Sequence, residues 1–203
     1  MRVPICGHIR LHFGKDPIAF FFPLLQKGFQ IEIESDNLNH LLSERCGLGP
    51  EEVKGRIQTL FLNGKPVDDF TTTHVQDGDC LALSAAMPGL VGATMRSGGV
   101  LAGFRRSISH CEKAPQSAPR EGLLSVKLFN LLIKEMGPRF LRKGILVDVG
   151  ELGILFNTIS DLDWKSCRRA ALNSRKIDAD SLAKMQWSKE DGFIRLEVTF
   201  GEP

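Results

Sequence analysis

The sequence predicts an α+β protein in three stretches: a strand-rich domain over residues 1–90, a glycine-rich crossing and linker over 91–122, and a smaller α+β domain over 123–203. Three observations carry that expectation. Residues 8–13 (HIRLHF) and 29–34 (FQIEIE) alternate apolar and polar side chains, the period of a half-buried strand. Leu38, Leu41, Leu42 and Cys46 recur at the spacing of one helical face. Asn63-Gly64 and Asp77-Gly78-Asp79 interrupt apolar runs with residues that accept turn geometry.

Composition sets the bounds. A chain of 203 residues holds one large domain or two small ones, and 42% hydrophobic with 25% charged residues is ordinary for a soluble globular protein. The net charge of +2 divides into −2 over residues 1–99 and +4 over residues 100–203. That asymmetry falls short of the basic stripe with interleaved aromatics that nucleic acid demands, so no nucleic-acid partner is expected. Five cysteines, odd in number, widely spaced and never in a CxxC pair, argue against a disulfide framework and for a reducing, cytoplasmic compartment. The longest apolar run, Ile18 to Leu25, is broken by Pro23 and falls well short of the roughly 20 residues that cross a bilayer, so no membrane is expected either.

Along the first part, Ile9, Leu11 and Phe13 share one face of a strand, and Gly14 to Pro17 ends it. Ile18 to Leu25 does not alternate and reads as a buried strand or a loop on the core. Lys27-Gly28 turns the chain into a strand carrying Phe29, Ile31 and Ile33. Ser35-Asp36-Asn37 offers side-chain acceptors for the first turn of a helix, which Gly47-Leu48-Gly49-Pro50 stops. Strands over 57–62 and 80–85 follow, joined through the Asn-Gly turn and a polar segment.

Strand, strand, helix, strand, strand within the first ninety residues is the order of the β-grasp (ubiquitin-like) fold. LFLNGKPVDD followed by QDGDCLALSAAMPG resembles the sulfur-carrier branch of that fold, the small subunit of molybdopterin synthase and the thiamine-biosynthesis carrier. The resemblance covers residues 8–99. It implies a tail ending in a diglycine, here Gly98-Gly99, whose terminal carboxylate an adenylating enzyme activates. Carrier chemistry needs that carboxylate free, and 104 residues follow Gly99, so the chain would first have to be cut there. Two functions are therefore weighed. The favoured one is a non-enzymatic ubiquitin-like binding or scaffold module with a protein partner; the alternative is a sulfur-carrier-like precursor activated at Gly99 after removal of the C-terminal half.

The second part carries no motif that resembles a known family. Leu124, Leu128, Leu131, Leu132 and Ile133 suggest a helix running to Lys143, with Pro138 as its kink or end. Ile145, Val147 and Val149 face residues 153–156 in an expected hairpin across Gly150–Gly153. Ser160 or Asp161 caps an expected helix that runs through Trp164 to Leu172. Residues 193–200 alternate as a closing strand, paired with 183–187 across Asp191-Gly192.

No chemistry-bearing constellation stands out, and no cofactor or metal is expected. Cys6, His8 and His12 share a strand face at metal-ligand spacing, but Arg10 lies between them and no second pair completes a set. Cys46, Cys80 and Cys167 each lack an adjacent base, and His40 stands six residues from Cys46, which is not a facing spacing. Gly89-x-x-Gly92 lacks the Gly-Lys-Ser/Thr of a phosphate loop, which leaves Arg96, Arg105 and Arg106 as solvated loop arginines. Arg168, Arg169, Arg175 and Lys176 form a modest basic face on the expected helix. An enzyme ranks last because no acid/base pair or activated nucleophile is present.

Overall fold

Runs in which apolar and polar residues alternate become strands in the structure, a computed structural model that describes residues 4–33, 35, 37–105, 107–111, 122–187 and 192–201. In chain order the elements are β1 (Ile5–Phe13), α1 (Ile18–Lys27), β2 (Phe29–Glu32), α2 (Leu38–Cys46), α3 (Pro50–Arg56), β3 (Thr59–Leu62), β4 (Lys65–Pro66), β5 (Cys80–Ser84), α4 (Gly89–Met95), a 3₁₀ helix (Val100–Arg105), β6 (Leu123–Phe129), α5 (Leu132–Lys143), β7 (Ile145–Asp148), α6 (Val149–Thr158), α7 (Asp161–Trp164), β8 (Cys167–Leu172), β9 (Arg175–Ile177), α8 (Ala179–Lys184) and β10 (Phe193–Phe200). The class is mixed α and β, as expected. The compact units are divided differently from the three sequential stretches: residues 1–29 join 137–203, and residues 30–136 form the other unit.

In the unit built from the chain's two ends, the strand order is β7-β10-β1-β8-β9. β1 runs parallel to β10 and antiparallel to β8, and β10 runs antiparallel to β7. Period-two patterning puts Ile9, Leu11, Phe13, Ile194, Leu196 and Val198 on the buried side. Phe13 meets Phe21 edge-on at 6.3 Å and Trp164 at 6.5 Å, and Trp164 packs edge-on against Phe156 at 5.2 Å. Ile18–Leu25 is helix α1, correcting the strand-or-loop expectation. Ile18, Phe21, Leu24 and Leu25 are buried at helical spacing, Pro23 points to the exposed side, and the Asp16 carboxylate accepts from the first helical N–H.

Three further expectations for this unit are corrected. The 145–156 hairpin is a strand followed by a helix, because Asp148 accepts from the backbone N–H of Gly150 and Glu151 and so starts α6. Gly153 then serves close packing, since a Cβ there would lie 2.8 Å from Trp187 Cβ. The expected helix through Trp164 to Leu172 is instead a short α7 and strand β8, which turns into β9 through Asn173 and Ser174, both with positive φ (50° and 66°). That left-handed pair matches the strand twist of a two-residue hairpin. Residues 179–184 are helix α8, so β10 takes β1 and β7 as partners; Asp191 lies outside the described residues.

In the unit of residues 30–136, the order is β4-β3-β5-β6-β2. The expected helix from Gly122 begins instead as strand β6, because Leu124, Val126 and Leu128 alternate with half-exposed residues and are buried; the helix starts at Leu132. β6 runs parallel to β5, while Ile33 N–H donates to Gly122 O and Gln30 bonds Ser125, the antiparallel register of β2 against β6. Asn63 (φ 51°) and Gly64 (φ 75°) make the expected tight turn between β3 and β4. Asn37 caps α2 by accepting from His40 N–H, and Pro50, instead of only stopping α2, opens α3 at a position where its missing N–H costs nothing.

The two units thus share one pairing sequence: antiparallel, parallel, antiparallel, antiparallel, with a left-handed two-residue turn closing the outermost hairpin. Among the described residues no helix is long and apolar enough to cross a membrane. Phe13 is fully buried beneath three aromatic neighbours. Phe13→Ala is expected to cost about 3–5 kcal/mol, read as a lower urea midpoint with an unchanged slope.

Candidate functional site

The glycine-rich segment is held by one buried guanidinium. Arg105 closes the 3₁₀ helix with its side chain 3% exposed and forks onto Asp68, Nη2 to Oδ1 at 2.6 Å and Nη1 to Oδ2 at 3.1 Å. Its Nε donates to Thr94 O at 2.6 Å, Nη2 also to Arg96 O, and Nη1 also to Ser109 Oγ. A buried cation is tolerable only when its donors are met, and here all three nitrogens have acceptors. The expectation of a solvated Arg105 is therefore corrected. Asp68, half in solvent, additionally accepts from Gly98 N–H at 3.1 Å.

Other bonds extend the strap. Ser97 N–H donates to Gln58 O and its hydroxyl to Val67 O, Arg96 bonds the Gln58 side chain, and His110 N–H donates to Pro66 O. Gly92 lets α4 close against the chain entering it: a Cβ there would stand 1.9 Å from Met87 O. Gly98-Gly99, the candidate carrier diglycine, forms a turn between α4 and the 3₁₀ helix. Gly98 has φ 61°, Gly99 N–H donates to Arg96 O and Ala102 N–H to Gly99 O.

What this arm shows to solvent is apolar. Leu90 and Val91 on α4, Val100 and Phe104 on the 3₁₀ helix and Ile108 beyond it are exposed, Val100 completely and Phe104 by 81%. Beside the arm lies an open cleft of about 430 Å³, lined by Lys54, Gln58, Asp68, Asp69, Phe70 and Arg96 among others. Hydrogen bonds from the Thr71 hydroxyl and N–H hold the Asp69 carboxyl below the usual range.

The remaining candidates do not converge. His8 Nε2 pairs with Glu197 at 3.0 Å, His12 Nδ1 with Thr199 Oγ1 at 2.9 Å, and the Cys6 thiol faces Pro4 O. Among the described residues no group of three His, Cys, Asp or Glu can hold a metal ion. Cys46 is buried, His40 on the same helix pairs with Glu44, and Cys80 is half-buried. Burial pushes the Cys167 thiol up, the opposite of what an attacking thiolate needs. Gly89 and Gly92 belong to α4, and Arg106 lies outside the described residues. Arg168, Arg169, Arg175 and Lys176 stand on the β8–β9 hairpin instead of on a helix.

Comparison of the chain with protein-family models, with curated proteins and with solved structures finds no match. No local sequence signal marks the Asp68–Arg105 pair, because its partners stand 37 residues apart and neither carries a motif.

Asp68→Ala strands the Arg105 guanidinium without its carboxylate and is expected to cost about 3 kcal/mol; limited proteolysis should then cut within residues 89–111 where the parent resists. Cys167 is expected to react slowly with iodoacetamide at neutral pH. Its rate should keep rising past the ordinary thiol range near 8.5, because desolvation favours the protonated form.

Proposed function

We propose that the chain is a non-enzymatic binding module whose docking surface for a protein partner is the arm formed by α4 and the 3₁₀ helix. One observation carries this: Leu90, Val91, Val100 and Phe104 are exposed together on a short segment whose polar anchor, Arg105, is buried. Isolated exposed apolar residues are ordinary, whereas a cluster on one short segment marks an interaction site. Phe104 supplies the large aromatic surface that dominates interface energetics.

The β-grasp reading keeps partial support within the unit of residues 30–136. β2, α2, β3 and β5 occur in that relative chain order, with α3 and β4 between them, and β6 runs parallel to β5 beside β2. In this proposal β6 stands in for the first strand of the grasp, while β1 pairs elsewhere, with β10 and β8. The carrier alternative is disfavoured because Gly98 N–H is engaged by Asp68 and the diglycine is folded back, where an adenylating enzyme requires an extended free tail.

A photo-crosslinking residue at position 104, in the native cell, should yield a discrete protein adduct that one at exposed Lys65 does not. Equal or absent adducts from both positions would contradict docking. Intact mass should show the uncut chain; a species ending at Gly99, its terminal oxygen replaced by sulfur, would overturn the proposal in favour of the carrier.

A further inference from the structure

The β1–β8–β9 face of the first unit gathers Arg10, Arg168, Arg169 and Lys176, which among the described residues form no ion pair. Cross-strand register sets Arg10 opposite Ala171 and Ala171 opposite Lys176, one row of the sheet. In the next row His12 stands opposite Arg169 and, on its other side, Thr199. Side chains at these alternate positions share a face, since Leu11 and Ala170 between them are buried. The face is concave: Arg10, His12, Arg168, Arg169, Lys176 and Thr199 line a cleft of about 740 Å³, and among the described residues its lining includes no carboxylate.

Three details distinguish this cleft from a solvated basic surface. Arg10 Nη2 is held by Ser174 Oγ at 3.0 Å, which fixes one guanidinium at the rim. Arg168 lies against Gly14, where a Cβ would stand 2.5 Å from its Nε, so the glycine makes room for the second guanidinium. His12 Nδ1 is engaged by Thr199 Oγ1, while its Nε2 is shielded from solvent and has no hydrogen-bond partner. Glu197, the carboxylate opposite Arg10 across β10, is taken by His8. Like charges on neighbouring strands repel, so holding these cations together favours a bound anion that bridges them.

We propose that this cleft binds an oligophosphate: two or three linked phosphates, free or on a small molecule. Strands are spaced about 4.8 Å apart, so β1 to β9 spans about 10 Å, the reach of a short phosphate chain. The ligand's oxygens would bridge Arg10, Arg169 and Lys176, with His12 Nε2 as a further polar contact. Single-stranded nucleic acid offers the same phosphates, yet among the described residues no Phe or Trp lines the cleft for a base to stack on.

Titration calorimetry of the full chain with tripolyphosphate tests this. Saturable one-site binding is expected, weakening as sodium chloride is raised. The double variant Arg10→Gln, Arg169→Gln should lose affinity by at least about tenfold. Lys65→Gln with Lys134→Gln, which removes equal charge elsewhere, should bind as the parent does. Circular dichroism of each variant confirms folding, and should the first pair unfold, Lys176→Gln alone is the readout, with weakened binding expected. Overturning results are no saturable binding by the parent, equal losses in both double variants, or a single-stranded oligonucleotide that binds through these residues more tightly than tripolyphosphate.

Discussion

Arg105 is the residue on which the glycine-rich segment depends. A guanidinium taken almost wholly out of water loses hydration that it recovers only through several well-placed acceptors. Here they come from three neighbouring pieces of chain: the Asp68 carboxylate, the Thr94 and Arg96 carbonyls at the end of α4, and the Ser109 hydroxyl. Because the acceptors lie on three different pieces, one side chain ties the arm's path together, and the Ser97 and His110 bonds reinforce it. Asp68 does double duty, since the same oxygen that receives Arg105 Nη2 also receives Gly98 N–H.

That anchoring decides how the diglycine is read. Glycines serve a sulfur carrier by leaving its tail thin and extended, but here they serve close approach and a left-handed turn. Gly92 has Met87 O within the space a Cβ would need, and Gly98 has positive φ. With the polar groups turned inward, the apolar side chains of the same segment are left facing solvent. A partner covering Val100 and Phe104 would meet a surface already ordered, which lowers the conformational cost of association.

How much was legible follows from how local each signal is. Alternation marked β1, β2 and β10, and Asn63-Gly64 marked its turn, because period and turn chemistry need only neighbouring residues. Residues 18–25 misled because an apolar run of that length fits a strand or a helix equally, and the deciding fact was which side chains are buried. Leu124 and Leu128 also fit a helical spacing; only Val126 between them, also buried, identifies β6. Gly150 and Gly153 look like turn residues, yet Asp148 had already started a helix. Arg168, Arg169 and Lys176 are legible as a basic cluster, but their cleft with Arg10 is not, because Arg10 and Arg169 become neighbours through a pairing of residues far apart in sequence. The shared pairing pattern of the two units is hidden for the same reason: it lies in strand partners, not in residue spacing.

The central claim is that residues 97–99 are an anchored turn and not a free tail. Amide hydrogen exchange, resolved by residue in the full-length chain, tests it most directly. Protection of Ser97 and Gly98 well above that of unstructured peptide is predicted, with both amides losing it together when Arg105 is replaced by Ala. Exchange at both amides as fast as in a free peptide, with β3 and β5 still protected, would contradict the account.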